Sequence, residues 1–314
     1  MHTGNPLPVG GGTPTHAEEH ATLPSESIPT DYSVAVCQLA ISVENPPQNR
    51  GRAREAIRDA AAKGANIVVL PELANTGYVF ANHAELVSLA EQLDGPTITE
   101  WARLAAELNL VIVAGFAESE NPNAPNAPST SAPEAPTPRV FNSAAIIDPT
   151  GVRAVYRKAH LWNTEKDRLF TAGDGLPPVV DTQFGRIGAM ICYDLEFPEW
   201  VRHTALAGAD ILCCPVNWPL FPRPEGERPA EIIRAQAAAS TNRMFLAVAD
   251  RVGTERGVDW VGGSVVLDAD GFPATRIQLG IESIQLATLP IADARSKAIS
   301  PHNDVHADRR TDLY

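Results

Sequence analysis

An α/β fold built on mixed sheets is what this chain predicts, and three observations carry the prediction. Short apolar runs alternate with segments of helical period, the first third makes two strand–helix–strand passes, and turn chemistry follows two apolar runs in the second half. Residues 33–40 read as a strand, and Ala53, Ala56, Ile57, Ala60 and Ala61 then recur at helical spacing until Gly64 ends the helix. Ile67-Val68-Val69-Leu70 is a buried-strand run. Ile98, Trp101, Leu104, Ala105 and Leu108 repeat the helix signal, and 110–114 repeats the strand. Asp148-Pro149-Thr150-Gly151 joins a strand over 140–147 to one over 152–156, and Asp268-Ala269-Asp270-Gly271 offers the same turn after 264–267. Segments 187–191, 210–214 and 245–249 are further apolar strands, separated by helical stretches near 199–207 and 230–242.

The 314 residues suffice for one large α/β domain or two small ones. Hydrophobic residues make up 44% and charged residues 20%, which excludes a disordered chain, a coiled coil and a collagen-like repeat. Twenty-five basic residues against 38 acidic ones leave a net charge of −13, a field that repels nucleic-acid backbones and anionic membrane surfaces. Solubility is the plainer use of that charge. No window approaches the roughly 18 apolar residues of a membrane span, and the first thirty residues lack a basic start and apolar middle. A cytoplasmic protein is expected.

Five of the 27 prolines fall in residues 1–31 and six in 121–138. Neither stretch holds enough apolar surface to offset its ordering entropy, so we expect a flexible amino-terminal arm and a Pro-rich surface loop. Because the strand pattern resumes at Val140, one domain over 32–290 is favoured, followed by a tail over 291–314.

Cys37, Cys192, Cys213 and Cys214 form no disulfide framework in a chain this long, and reduced thiols are expected. Metal-ligand spacing is also missing. The nearest imitation, His16-Ala-Glu-Glu-His20, misplaces the glutamate of a zinc-protease motif and lies in a segment without helix support.

Three segments place a reactive polar residue at the end of an apolar strand, where α/β proteins open their crevices. They end in Pro71-Glu72, in Arg157-Lys158, and in Cys192-Tyr193-Asp194. A thiol is mostly protonated at neutral pH, so it needs a base, a cation, or both. Glu72 can be the base. When sulfur attacks a carbonyl or nitrile carbon, charge grows on the substrate heteroatom, and Lys158 with the amide of Tyr193 can stabilise it. The protonated glutamate can then return its proton to a leaving amine.

Pro71-Glu72, Tyr156-Arg157-Lys158-Ala159-His160-Leu161 and Cys192-Tyr193-Asp194-Leu195-Glu196-Phe197-Pro198-Glu199 resemble, in order, the three signatures of the nitrilase or carbon–nitrogen hydrolase superfamily. The resemblance spans roughly 33–290, and the tail from Asn303-Asp304 to Tyr314 is similar to its amidase branches. It implies an α-β-β-α sandwich whose subunits pair into a homodimer or higher homo-oligomer, a Glu-Lys-Cys triad of Glu72, Lys158 and Cys192, and no cofactor. It further implies a second active-site glutamate beyond the lysine, for which Glu165 is the candidate. Nitrilases usually carry Trp-Glu after the cysteine. Tyr193-Asp194 resembles the amidases and carbamoyl-amide hydrolases, so nitrile hydrolysis ranks lower.

Plainer roles compete for each residue. Cys37 and Cys213 sit in apolar strands as small hydrophobes, and only Cys192 is followed by a polar, turn-ready segment. Glu72 could be a solvated loop carboxylate or a helix cap, and Lys158, beside Arg157, could be a solvated strand end. His160 invites a Cys–His dyad, but an imidazole serves equally as a structural hydrogen-bond partner. Asp194 is read as orienting the turn after the cysteine, and Glu199 as a first-turn helix residue. Tyr193, Trp162, Asn217 and Trp218 are candidate substrate-binding residues, although a tryptophan also packs as ordinary core. Nothing in the sequence assigns Arg202, Arg223 or Arg228 to a substrate carboxylate. The expected function is thioester-mediated hydrolysis of a small carboxamide; the rivals are an N-carbamoyl amide hydrolase and a catalytically silent binding protein.

Overall fold

A computed structural model describes residues 30–121 and 138–313. The expected amino-terminal arm and Pro-rich loop fall, apart from their edges, outside the described residues.

The first sheet is built from β1 (Asp31–Ala40), β2 (Ile67–Val69), β3 (Val111–Ser119), β4 (Val140–Asp148) and β5 (Gly151–Arg157) in that spatial order. β1, β2 and β3 run parallel, β4 returns antiparallel to β3, and β5, antiparallel to β4, runs again in the sense of β1–β3. Helix α1 (Pro46–Ala62) makes the first crossover, and α2 (His83–Leu89) and α3 (Pro96–Leu108) precede β3. The second sheet holds β6 (Val179–Thr182), β7 (Gly185–Ala189), β8 (Ile211–Pro215) and β9 (Phe245–Ala249), with α4 (Pro198–Leu206) and α5 (Ala230–Asn242) as its parallel crossovers. β10 (Arg251–Val252) returns to the first sheet beside the end of β1. A small ribbon of β11 (Thr254–Glu255) and β12 (Val258–Asp259) follows, and β13 (Val265–Leu267) pairs antiparallel with β9. β14 (Ser283–Pro290) lies antiparallel along β1, before α6 (Ile291–Arg295) and the ribbon of β15 (Ala298–Ser300) and β16 (Asn303–Asp304).

Alternation along the strands sets the layers. Val34, Val36, Ile67, Val69, Val111 and Val113 face Ile187, Ile211, Cys213, Phe245 and Ala247 across the inter-sheet core. Their neighbours Ala35, Cys37, Val68 and Ile112 face α1 and α3, while Leu212, Cys214, Leu246 and Val248 face α4 and α5. The result is the four-layer α-β-β-α sandwich. Both faces of every central strand are apolar because both are covered.

The elements depart from the sequence reading in three places. The strand expected over 187–191 stops at Ala189, because the Asp194 carboxylate takes the Ile191 N–H at 3.2 Å and Cys192 turns to φ +47°. Beyond the 268–271 turn there is one isolated bridge, Leu267 to Pro273, since proline has no N–H to extend a ladder. β14 was not read from the sequence, though Ile284 and Leu286 face the helices of the first sheet while Ala287 and Leu289 face the inter-sheet core. In the segment after 290, Ile291 and Ala294 enter the inter-sheet core, and Arg295 pairs with Asp210 at 2.9 Å.

Candidate active site

Glu72 follows β2, Lys158 follows β5, Cys192 follows β7, and Asn217 and Trp218 follow β8. Parallel strands share an orientation, so these ends open at one crevice. The Lys158 ammonium lies 2.7 Å from Glu72 Oε1 and 2.9 Å from Glu165 Oε2. Asn142, from the middle of β4, donates its one amide nitrogen to Glu72 Oε1 at 2.7 Å and to Glu165 Oε1 at 2.9 Å. Glu165 opens a single wide helical turn (Glu165–Leu169) and accepts the backbone N–H of Trp162 at 2.7 Å. Glu72, Lys158 and Glu165 are 0% exposed and Cys192 is 8% exposed, so only the thiol-bearing residue reaches solvent.

Two features of the backbone make this arrangement possible. Leu73 and Cys192 both take left-handed φ angles, +50° and +47°, which a side chain bearing a Cβ adopts only when its surroundings impose them. Gly115 of β3 runs beneath the first of these turns; a Cβ there would lie 2.5 Å from the Glu72 Cα and 2.7 Å from the Leu73 nitrogen. A glycine is therefore required for the Glu72 turn to rest on the sheet.

The charges of the cluster act on one another. Burial lifts the Glu72 carboxyl from its ordinary range to about 7, with Glu165 adding to the rise and Lys158 opposing it. Burial alone would discharge Lys158, but Glu165, Glu72 and Cys192 together hold its ammonium well above the usual lysine range. The Cys192 thiol is pushed up by burial and then by Glu72, against the pull of Lys158, so it rests protonated. Attack by such a sulfur needs a base. Glu72 Oε1 holds two donors, whereas Glu72 Oε2 is buried with no hydrogen-bond partner.

A second network ties the lysine segment to the cysteine segment. Buried Asp194 accepts the Tyr156 hydroxyl at 2.9 Å, the His160 backbone N–H at 3.0 Å and, at 2.7 Å, the His160 ring nitrogen. Trp200 donates to the Tyr156 hydroxyl at 2.9 Å. His160 stacks on Phe197 with ring centroids 3.8 Å apart and is thus engaged by Asp194 and not by the thiol. Arg157 turns the other way, to Glu118, and lies over Phe141.

The remaining predicted residues separate. Trp162 lines a cleft of about 660 Å3 together with Tyr78, Phe221 and Trp260. Tyr193 stands edge-on to Trp162, ring centroids 5.0 Å apart. Asn217 bridges the two turns: its carbonyl faces Cys192 Sγ at 3.9 Å and its amide donates to the Glu72 carbonyl at 3.0 Å. Trp218 packs in the core behind Cys192, outside the cleft wall, and donates its backbone N–H to Asp250. Arg202 binds the carbonyls of Thr241 and Val305, and neither Arg223 nor Arg228 lines the cleft.

Sequence reasoning passed over Asn142 and Tyr78. The signal for Asn142 was a polar pair, Asn142-Ser143, buried inside an otherwise apolar strand. Tyr78 carries no such mark; it lines the cleft with Trp162, and its phenol is pushed up by burial and then by the charges of Glu165, Glu72 and Cys192. Among the described residues no group of three or more His, Cys, Asp or Glu side chains is arranged to hold a metal ion. No described helix is long and apolar enough to cross a membrane.

A sandwich of this topology with a Glu, a Lys and a Cys each just past a strand end defines a class, and residues 33–298 match the family described as carbon–nitrogen hydrolase. The chain belongs to that family and is a hydrolase of carbon–nitrogen bonds. It is 34% identical over 284 residues to a nitrilase of Pyrococcus abyssi, covering 90% of this chain and 98% of that protein. With the N-carbamoylputrescine amidase of Arabidopsis thaliana it shares 32% over 298 residues, covering 90% and 93% of the two chains. The crystal structure of an amidase from Nesterenkonia sp. superposes with a TM-score of 0.68 at 24% identity, covering 90% of this chain and 94% of that one, a likeness of fold.

Proposed function

We propose that the protein hydrolyses a small carboxamide to a carboxylic acid and ammonia through a thioester on Cys192. One observation carries this reading: a buried carboxyl near pKa 7, with one oxygen held by Lys158 and Asn142 and the other unpartnered, acts on a protonated thiol. Glu72 takes the Sγ proton as sulfur attacks the amide carbon. Lys158, with the Tyr193 amide, meets the charge that grows on the amide oxygen. The tetrahedral adduct collapses as Glu72 returns its proton to the nitrogen, so the C–N bond breaks and ammonia leaves. Water, giving its proton to Glu72, then attacks the thioester, and the proton passes back to sulfur as the acid departs. Glu165 keeps the lysine charged and in place.

N-Carbamoyl compounds are the second reading, favoured by the 32% identity to a carbamoylputrescine amidase. They are told apart by release of carbon dioxide along with ammonia. Nitriles belong in the same panel because of the Pyrococcus relative. The reading includes a cytoplasmic setting with reduced thiols and assembly as a homo-oligomer, which sedimentation would measure.

Ammonia release from a panel of small amides, with intact-protein mass before and after, tests the chemistry. Wild type should gain an acyl adduct on the peptide carrying Cys192, and Cys192→Ala should lose activity by roughly 10⁴-fold or more. Equal activity in the two proteins would remove Cys192 as nucleophile.

A further inference from the structure

The cleft lined by Trp162, whose backbone N–H is accepted by Glu165 of the cluster, has an uneven charge. Its walls are aromatic, from Tyr78, Trp162, Phe221 and Trp260, and no Asp or Glu lies among the described residues that line it. That is unexpected for a chain of net charge −13. One arginine, Arg168, lines the same cleft. Most other described arginines are held in ion pairs, as Arg157 is by Glu118, Arg251 by Glu255 and Arg256 by Glu85. Arg168 makes no ion pair or side-chain hydrogen bond among the described residues. The other basic ring at the cleft, His83, is already occupied by the carbonyls of Leu169 at 2.8 Å and Pro138 at 3.1 Å.

Arg168 stands on the same helical turn as Glu165, three residues later. One short element therefore carries both groups, Glu165 turned inward and buried, Arg168 outward and exposed. A planar, permanently charged fork beside apolar walls suits a carboxylate at the end of a short hydrocarbon chain.

We propose that Arg168 selects substrate, and that the substrate is an amide whose acyl group carries a carboxylate at the end remote from the scissile bond, such as the monoamide of a short dicarboxylic acid. The inference rests on the amidase reading above and narrows it. The methylene chain would lie along Trp162 and Tyr78, with the amide at Cys192 and the carboxylate at the cleft mouth. A cationic amide would be rejected by like charge.

Three matched amides test this: glutaramate (anionic), valeramide (neutral) and 5-aminovaleramide (cationic). Wild type should prefer glutaramate over valeramide by roughly ten- to hundred-fold in kcat/KM, with 5-aminovaleramide last. In Arg168→Gln that ratio should fall toward one, and in Arg168→Glu the order of the two charged amides should invert. A wild-type ratio near or below one, or a ratio unchanged by Arg168→Gln, overturns the proposal. Calorimetry on Cys192→Ala, with and without Arg168→Gln, reads the same preference without turnover. Tighter, Arg168-dependent binding of glutaramate with no ammonia release from wild type would sink the amidase reading alone. Ammonia release without a charge preference would sink this one alone.

Discussion

Two buried ionic clusters, Arg251 with Glu255 and Lys158 with Glu72 and Glu165, are finished differently. In the first, Arg251 pairs with Glu255 at 2.8 Å and lies over the Trp260 ring at 4.6 Å. Both Glu255 oxygens are occupied: Oε1 takes the Val43 N–H at 2.7 Å, and Oε2 takes those of Tyr78 at 3.0 Å and Val79 at 2.8 Å. Arg251 also donates to the Ile41 carbonyl. This cluster fastens the cleft wall to the loop after β1. In the second, Lys158 is held by two carboxylates, yet Glu72 keeps an oxygen without a partner and a pKa near 7. A buried carboxylate with both oxygens occupied, as in Glu255, holds structure, whereas one with an oxygen left unpartnered, as in Glu72, retains the capacity to exchange a proton.

Changes that exploit this contrast should split activity from stability. Glu72→Gln keeps the shape and removes the base, so kcat should fall by roughly 10²- to 10⁴-fold, with little movement in denaturation midpoint. A comparable loss of stability would put Glu72 with the structural cluster. Glu255→Ala should do the reverse, costing about 3–5 kcal/mol in urea unfolding because Arg251 is left buried without its carboxylate.

A smaller effect is expected from pH. Glu72 must be ionised to accept the thiol proton, so kcat/KM should fall up to about tenfold per unit as pH drops below about 7, and level off above it. The same raised value has a stability sign. Stability from the protonated carboxyl is fully present below its ordinary value of 4.5 and is lost as pH rises through about 7. A rate profile breaking near 4.5 would mean that the carboxyl is not buried in solution. The smallest change is expected at an exposed pair: Arg103→Ala, which leaves Glu107 on the surface of α3 to Arg58 alone, should move neither the urea midpoint nor the activity measurably.

Much of the fold was legible because its signals are local. The strand over 245–249 and the helix over 230–242 sit where the apolar pattern places them, since covered parallel strands read as unbroken apolar runs and helices as period-3.6 stripes. β14 was harder: its outer positions are only partly buried, so its apolar faces are incomplete. The site divides in the same way. Glu72 and Cys192 stand out because each breaks an apolar run at a strand end, whereas Lys158, beside Arg157, is picked out by the family resemblance.

The sequence by itself determined the alternating elements, the acidic surface and the three strand-end residues, because each follows from the period and chemistry of neighbouring residues. Only the tertiary structure decided that Asn142 joins two glutamates, that Asp194 links Tyr156 and His160 to the cysteine turn, and that Arg168 shares an aromatic cleft with Tyr78 and Trp260. Those contacts join residues far apart in the chain. They depend on which strands lie side by side and how the two sheets face each other, and no local pattern encodes that.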